Sequence, residues 1–131
     1  MIKLSLSLRT DAKEELIDIT NRVQQKIASQ GFNNGFCVVY LPHTTAGITI
    51  NENADPDVKT DILSTLRKIV PDNLPYRHIE ENSPAHLKTL ITGSSVTVAV
   101  DNGRLALGRW QGIFFAEYDG PRNRQVDIYL Q

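Results

Sequence analysis

Phe36-Cys37-Val38-Val39-Tyr40-Leu41 is apolar at every position, with no alternation that would leave one face to water. A short run rich in aromatic and β-branched side chains suits a strand inside a sheet, flanked on both sides, better than a solvated hairpin arm. Asn33-Asn34-Gly35 turns the chain into it. An interior strand needs neighbours, and the sequence supplies them at both ends. Ile2, Leu4, Leu6 and Leu8 alternate with Lys3, Ser5, Ser7 and Arg9, the pattern of a half-buried strand. Val96, Val98 and Val100 alternate with Thr97 and Ala99 and run into Asn102-Gly103, a strong hairpin signal. Further strands are expected at Ile48 to Asn51, near Leu105 to Leu107 and from Ile113 to Tyr118. After the turn at Asp119-Gly120-Pro121, a last strand from Gln125 to Leu130 turns Val126, Ile128 and Leu130 inward.

Helices cover this sheet. Thr20 can cap one that carries Val23 and Ile27 inward and stops at Gly31. The segment just before it, Asp11 to Asp18, reads equally as helix or strand. Asp55-Pro56 is an acidic cap followed by proline at the first helical position, and Val58, Ile62, Leu66 and Ile69 make the inward stripe up to Pro71. A polar loop spans 71–82. Ser83-Pro84 repeats the start signal for a short helix, Ala85 to Ile91, closed by Gly93. With no repeat and no linker, residues 1–131 are expected to form one α+β domain, an antiparallel β-sandwich with two to three helices.

The charge balance, 14 basic against 15 acidic residues, argues against nucleic acid or an anionic membrane as a general partner. No stretch approaches the roughly 18 apolar residues of a membrane helix, and the alternating first ten residues are no signal peptide. Cys37 is the only cysteine, so no internal disulfide forms, and a reducing, cytoplasmic location is the expectation.

The chemistry-bearing residues lie in polar segments. His43 follows the apolar strand in Pro42-His43-Thr44-Thr45, His78 ends the polar loop, and His86 sits in the first turn of the last helix. None is on an apolar stripe and no spacing fits HExxH; two or three together could hold a metal or an anion, or each could be a solvated loop residue. Asn51-Glu52-Asn53-Ala54-Asp55 offers two carboxylates: Asp55 doubles as a helix cap, while Glu52 could take a proton or bind a cation. In Gly108-Arg109-Trp110-Gln111-Gly112, Trp110 serves either as a packing anchor or as a stacking surface, with Arg109 and Gln111 exposed. Glu117 shares a strand face with Ile113 and Phe115 and, if buried, needs a partner. Arg122 and Arg124 could pair with Glu117, Asp119 or Asp127, or clamp a phosphate, with Arg124 the more superficial of the two.

Taken together, His43-Thr44-Thr45-Ala46-Gly47, Asn51 to Val58, His78 with Ala85-His86, and the stretch from Ser95 through Gly108-Arg109-Trp110-Gln111 to Glu117-Tyr118-Asp119-Gly120-Pro121-Arg122 resemble the YjbQ family, also called the secondary thiamine-phosphate synthase family. The resemblance implies an α+β sandwich subunit assembling as a homotrimer. It also implies an enzyme of phosphorylated small molecules that joins a pyrimidine diphosphate to a thiazole phosphate. In such a site Glu52, Asp55 and Glu117 are the expected catalytic groups, and Thr44, Thr45, Asn51, Trp110, Gln111 and Arg122 the expected substrate contacts. His43, His78 and His86 are the expected ligands of a divalent metal, zinc by donor type, magnesium by the chemistry of diphosphates. A metal-dependent hydrolase using Glu52 as base and a non-catalytic metabolite- or metal-binding trimer are the alternatives. The two-sided apolar strands at Phe36–Leu41 and Ile113–Tyr118 ask for cover on both faces, which a trimer would provide.

Overall fold

The structure, a computed structural model, describes residues 1–131. Eight strands and three helices follow one another as β1 (Ile2–Arg9), β2 (Glu15–Asp18), α1 (Thr20–Ser29), β3 (Gly35–Tyr40), β4 (Ala46–Glu52), α2 (Pro56–Ile69), α3 (Ser83–Thr92), β5 (Ser95–Asp101), β6 (Arg104–Leu105), β7 (Gln111–Glu117) and β8 (Asn123–Leu130). They form two antiparallel sheets, β1-β8-β3-β5-β6 and β2-β7-β4. The fold is the expected α+β sandwich.

The core lies between the sheets. Leu6, Leu8, Cys37, Val39, Val98, Val100, Val126, Ile128 and Leu130 come from the larger sheet and meet Ile48, Ile113 and Phe115 of the smaller, with Val23 and Ile27 of α1 closing one side. The even-numbered parity read for β1 and β8 is the inward one. At the β5–β6 turn, Asn102 and Gly103 both take positive φ, 55° and 82°, the backbone that a two-residue hairpin of this hand requires.

Beneath α2 and α3 the outer face of β7 carries Phe114 and Ala116, which pack with Leu16, Ala85 and Tyr118 against Ile62, Leu63 and Leu66. So β7 is covered on both faces within one chain, and its apolar run gives no support to an oligomer. β3 differs: it is interior to its sheet, between β8 and β5, with Cys37 and Val39 buried, yet Phe36 and Tyr40 on its outer face are exposed.

Local signals were displaced by a residue or two. The ambiguous segment resolves into strand, because Glu15 to Asp18 pairs with Phe114 to Glu117. Ile19, not Thr20, stands at the cap position of α1; Thr20 is the first helical residue, bonded to the Asp18 carboxylate, and its hydroxyl accepts the Ile113 amide. Asn82 rather than Ser83 precedes α3, which makes no side-chain cap. Asp55 caps α2 as read, accepting from the Asp57 amide at 2.9 Å. The strand read at Leu105 to Leu107 is only the two-residue β6.

Candidate functional site

The loop between β3 and β4, Leu41 to Thr45, carries His43 and both threonines along one wall of a polar cleft of about 300 Å³. Apart from the Pro42 ring the cleft is lined by polar side chains: His43, Thr44 and Thr45 meet Arg122 and Arg124 from the approach to β8 and its start, and Glu80, Asn82 and His86 from the α2–α3 loop and α3. The backbone amides of His43, Thr44 and Thr45 have no hydrogen-bond partner in the chain, although Thr45 is buried. His43 is half-buried and Thr44 exposed, so these amides are open to water or to a ligand's acceptor atoms.

His43 Nε2 lies 3.0 Å from the Gln125 amide nitrogen and 3.1 Å from its carbonyl oxygen, which fixes the ring against β8. Burial, and then the nearby Arg124 charge, hold its pKa below the ordinary histidine value. His43 is therefore a neutral imidazole at pH 7.

Behind the loop, Glu117 is fully buried at the end of β7. Its Oε1 accepts from Thr10 Oγ1 at 2.8 Å and from Arg124 Nε at 2.8 Å; its Oε2 accepts from the Asp119 amide at 3.0 Å and from Arg124 Nη2. Burial by itself would raise this carboxyl, but the hydrogen bonds from Arg124, the Asp119 amide and Thr10 outweigh it and hold the pKa below the ordinary range. The carboxylate is a partner for Arg124 rather than a group facing the cleft. Arg124 is thus not superficial. It shares the inward parity of Val126, Ile128 and Leu130, and only 4% of its side chain is exposed. That parity was the signal for its burial. Arg122, half exposed, bonds the Asp119 carbonyl through Nε at 2.7 Å and the Asp119 carboxylate through Nη2 at 2.9 Å.

Within one chain the three histidines do not make one metal centre. His43 and His86 line the cleft, while His78 stands edge-on to His86 at 5.1 Å between centroids, on that ring's other side. No three His, Cys, Asp or Glu side chains approach closely enough to share an ion.

The remaining expected site residues lie elsewhere. Ala46 at the cleft end of β4 pairs with Glu117, and Glu52 at the other end pairs with Gln111. The six residue steps of β4 from Ala46 to Glu52 span roughly 20 Å. Asn51 and Glu52, with Gln111 and its neighbour Trp110, therefore lie toward the end of the smaller sheet away from the cleft, and Asp55 follows beyond that end at the start of α2. There Trp110 is exposed, with the Arg109 guanidinium 4.8 Å above its ring, so it is no core anchor. Gln111 Oε1 accepts from the Gly108 amide. Sequence reasoning named neither Asn82 nor Glu80 as part of the cleft; both sit in a loop whose course no local pattern specifies.

Residues 4–131 match the family model described as UPF0047 protein YjbQ-like. The chain belongs to the UPF0047 family of YjbQ-like proteins. Its relatives include a UPF0047 protein of Methanocaldococcus jannaschii, 50% identical over 123 residues (94% of this chain and 89% of that one). The UPF0047 protein YugU of Bacillus subtilis is 50% identical over 127 residues, 96% of each. Among solved structures, an uncharacterized YjbQ/UPF0047 protein from Clostridium acetobutylicum superposes with a TM-score of 0.95 at 50% identity, covering 98% of this chain and 99% of the other. A hypothetical protein from Aeropyrum pernix superposes equally, 0.95 at 38% identity, over 100% and 98%. The YjbQ-like motifs thus fall on two places in this fold, the cleft beside His43 and the far end of β4.

Proposed function

We propose that this YjbQ-like chain is an enzyme acting on a phosphorylated small molecule, whose phosphoryl end is received by the cleft beside His43. The three unpaired amides of His43, Thr44 and Thr45 carry this reading: they are donors without acceptors, in a cleft lined by two arginines. Donors held in place ahead of reaction stabilise charge as it develops on a leaving oxyanion. His43 and His86 stand where a proton could be taken up or released. Thiamine-phosphate formation is the reaction to test, since departure of a diphosphate asks for this set of donors. A metal-dependent hydrolase is less well supported, because the histidines do not fit one ion within a chain.

One small substrate cannot touch both the cleft and the Trp110–Glu52 end of the same chain. Assembly as a homotrimer, with one copy's Trp110 end against another's cleft, would unite them; the exposed Phe36 and Tyr40 offer uncovered surface for such packing. The test is direct. The purified protein is given pyrimidine diphosphate and thiazole phosphate and product is followed by chromatography, while light scattering gives the mass. Product formation lost in Trp110→Ala and in His43→Ala, and regained on mixing the two variants, is the expected result. Absence of both product and phosphate binding overturns the enzyme reading, and a monomer overturns the shared site.

A further inference from the structure

We propose that Arg124, rather than the exposed Arg122, is the residue that recognises the oxyanion in this cleft, and that it does so by directed hydrogen bonds instead of net charge. The inference rests on the phosphoryl reading of the cleft and says which residue performs it. Arg124 is held on two sides. Nε and Nη2 grip both oxygens of Glu117, and Nη2 also donates to Thr45 Oγ1 at 2.9 Å and to the Thr45 carbonyl at 3.3 Å. Nη1 makes no hydrogen bond within the chain, on a side chain 4% exposed that lines the cleft. A guanidinium fixed along one edge presents its other donors without losing rotamer freedom on binding.

Thr45 links the two halves of the site. Its carbonyl and hydroxyl hold Arg124, while its own amide and those of His43 and Thr44 are free. Donors therefore reach the cleft from the β3–β4 loop and from β8. A tetrahedral phosphoryl group, with three terminal oxygens, can use more of them than a planar carboxylate can.

The charge census separates this from simple attraction. Arg124 is matched by Glu117, Arg122 by Asp119, and Glu80 adds a further carboxylate at the wall, with His43 neutral. A cleft with no cationic excess draws little binding energy from long-range attraction, so affinity depends weakly on salt.

The experiment titrates phenyl phosphate, with benzoate as the planar comparison, into wild type and Arg124→Lys by calorimetry at low and moderate salt. In parallel, the arginine guanidinium nitrogens of wild type are followed by NMR. Expected are a shift of the Arg124 Nη resonances on adding phenyl phosphate, weaker binding of benzoate, and little loss of affinity with salt. Arg124→Lys keeps the charge but not the fork and should bind about tenfold or more weakly. If that variant does not fold, the wild-type resonances decide alone. Static Arg124 resonances while phenyl phosphate binds overturn the assignment and leave the phosphoryl reading standing. A wild type that binds no phenyl phosphate overturns both.

Discussion

Arg124 and Glu117 join the two sheets through an ion pair, one partner on β8 and the other on β7, both buried. The strands run in different sheets, so the pair bridges the sandwich at the edge of its apolar core. Thr10 adds a third strand's end: its hydroxyl bonds both Glu117 and the Arg122 amide. The same contact that ties the layers also aims a guanidinium at the cleft.

Removing one member of a buried pair leaves the other charged and unpaired. Glu117→Ala should lower stability by roughly 3–5 kcal/mol in denaturant melts. The carboxyl is depressed in the folded state, so its contribution is fully present above the unfolded value near 4.5 and is lost as pH falls through the lower folded value. Wild type should therefore lose part of its stability below about pH 4.5, and the variant should show a shallower acid loss. An equal acid slope in both proteins would contradict this.

Arg122 is the contrasting case. Its Asp119 partner is close to the surface, and exposed pairs contribute about 0–1 kcal/mol. Arg122→Ala should melt within a few degrees of wild type. Since Glu117 is paired with Arg124, a large drop in melting temperature on changing Arg122 would mean that the pairing is misassigned.

Cys37 is buried in the core beside Val39, and burial pushes its thiol up to about 11. Thiolate is the reactive form. At pH 8 the native protein should leave a disulfide reagent such as dithionitrobenzoate unreacted for as long as it stays folded, then consume one equivalent in denaturant. Rapid native labelling would contradict the packing of β3.

Much of this fold was legible because period-two alternation fixes which face of a strand is inward: β1 and β5 follow it residue by residue, and β8 follows it except at Asp127, which is buried on the other face. The β3 run was misleading on one face, since lateral pairing with β8 and β5 satisfies its backbone without covering Phe36 and Tyr40. α3 was read from its proline start and its closing glycine, but which face it buries was not legible, for a different reason. It buries Ala85, Lys88 and Thr89 and turns Leu87, Leu90 and Ile91 outward, because the Lys88 ammonium reaches Glu14 at 2.6 Å across the β1–β2 connection. That contact spans 74 residues and leaves no local trace. The candidate site was half visible for the same cause: His43, His86 and Arg122 were named from polar segments, but their convergence depends on the loop before α3. Arg124 was within reach, since it obeys the parity of the strand that contains it.

His43 gives the last test. Burial first, and the Arg124 charge second, depress its pKa, while the Gln125 backbone, Glu117 and Asp127 oppose the shift without cancelling it. Its ring resonances in NMR should titrate with a midpoint below the ordinary 6.5. A histidine whose folded value is lowered binds more protons when unfolded. Its stabilising contribution is thus complete above about pH 6.5 and is lost as pH falls through the depressed folded value. His43→Gln, which keeps a hydrogen-bonding side chain but cannot titrate, should flatten that part of the stability profile. Phenyl phosphate places negative charge beside the ring and offsets the field of Arg124. Its binding should therefore raise the His43 midpoint and take up a fraction of a proton, measured as a buffer-dependent enthalpy near pH 6. A midpoint at or above 6.5 in the free protein would show that burial and the Arg124 charge do not outweigh Gln125, Glu117 and Asp127, and the surroundings described for the ring would then be wrong.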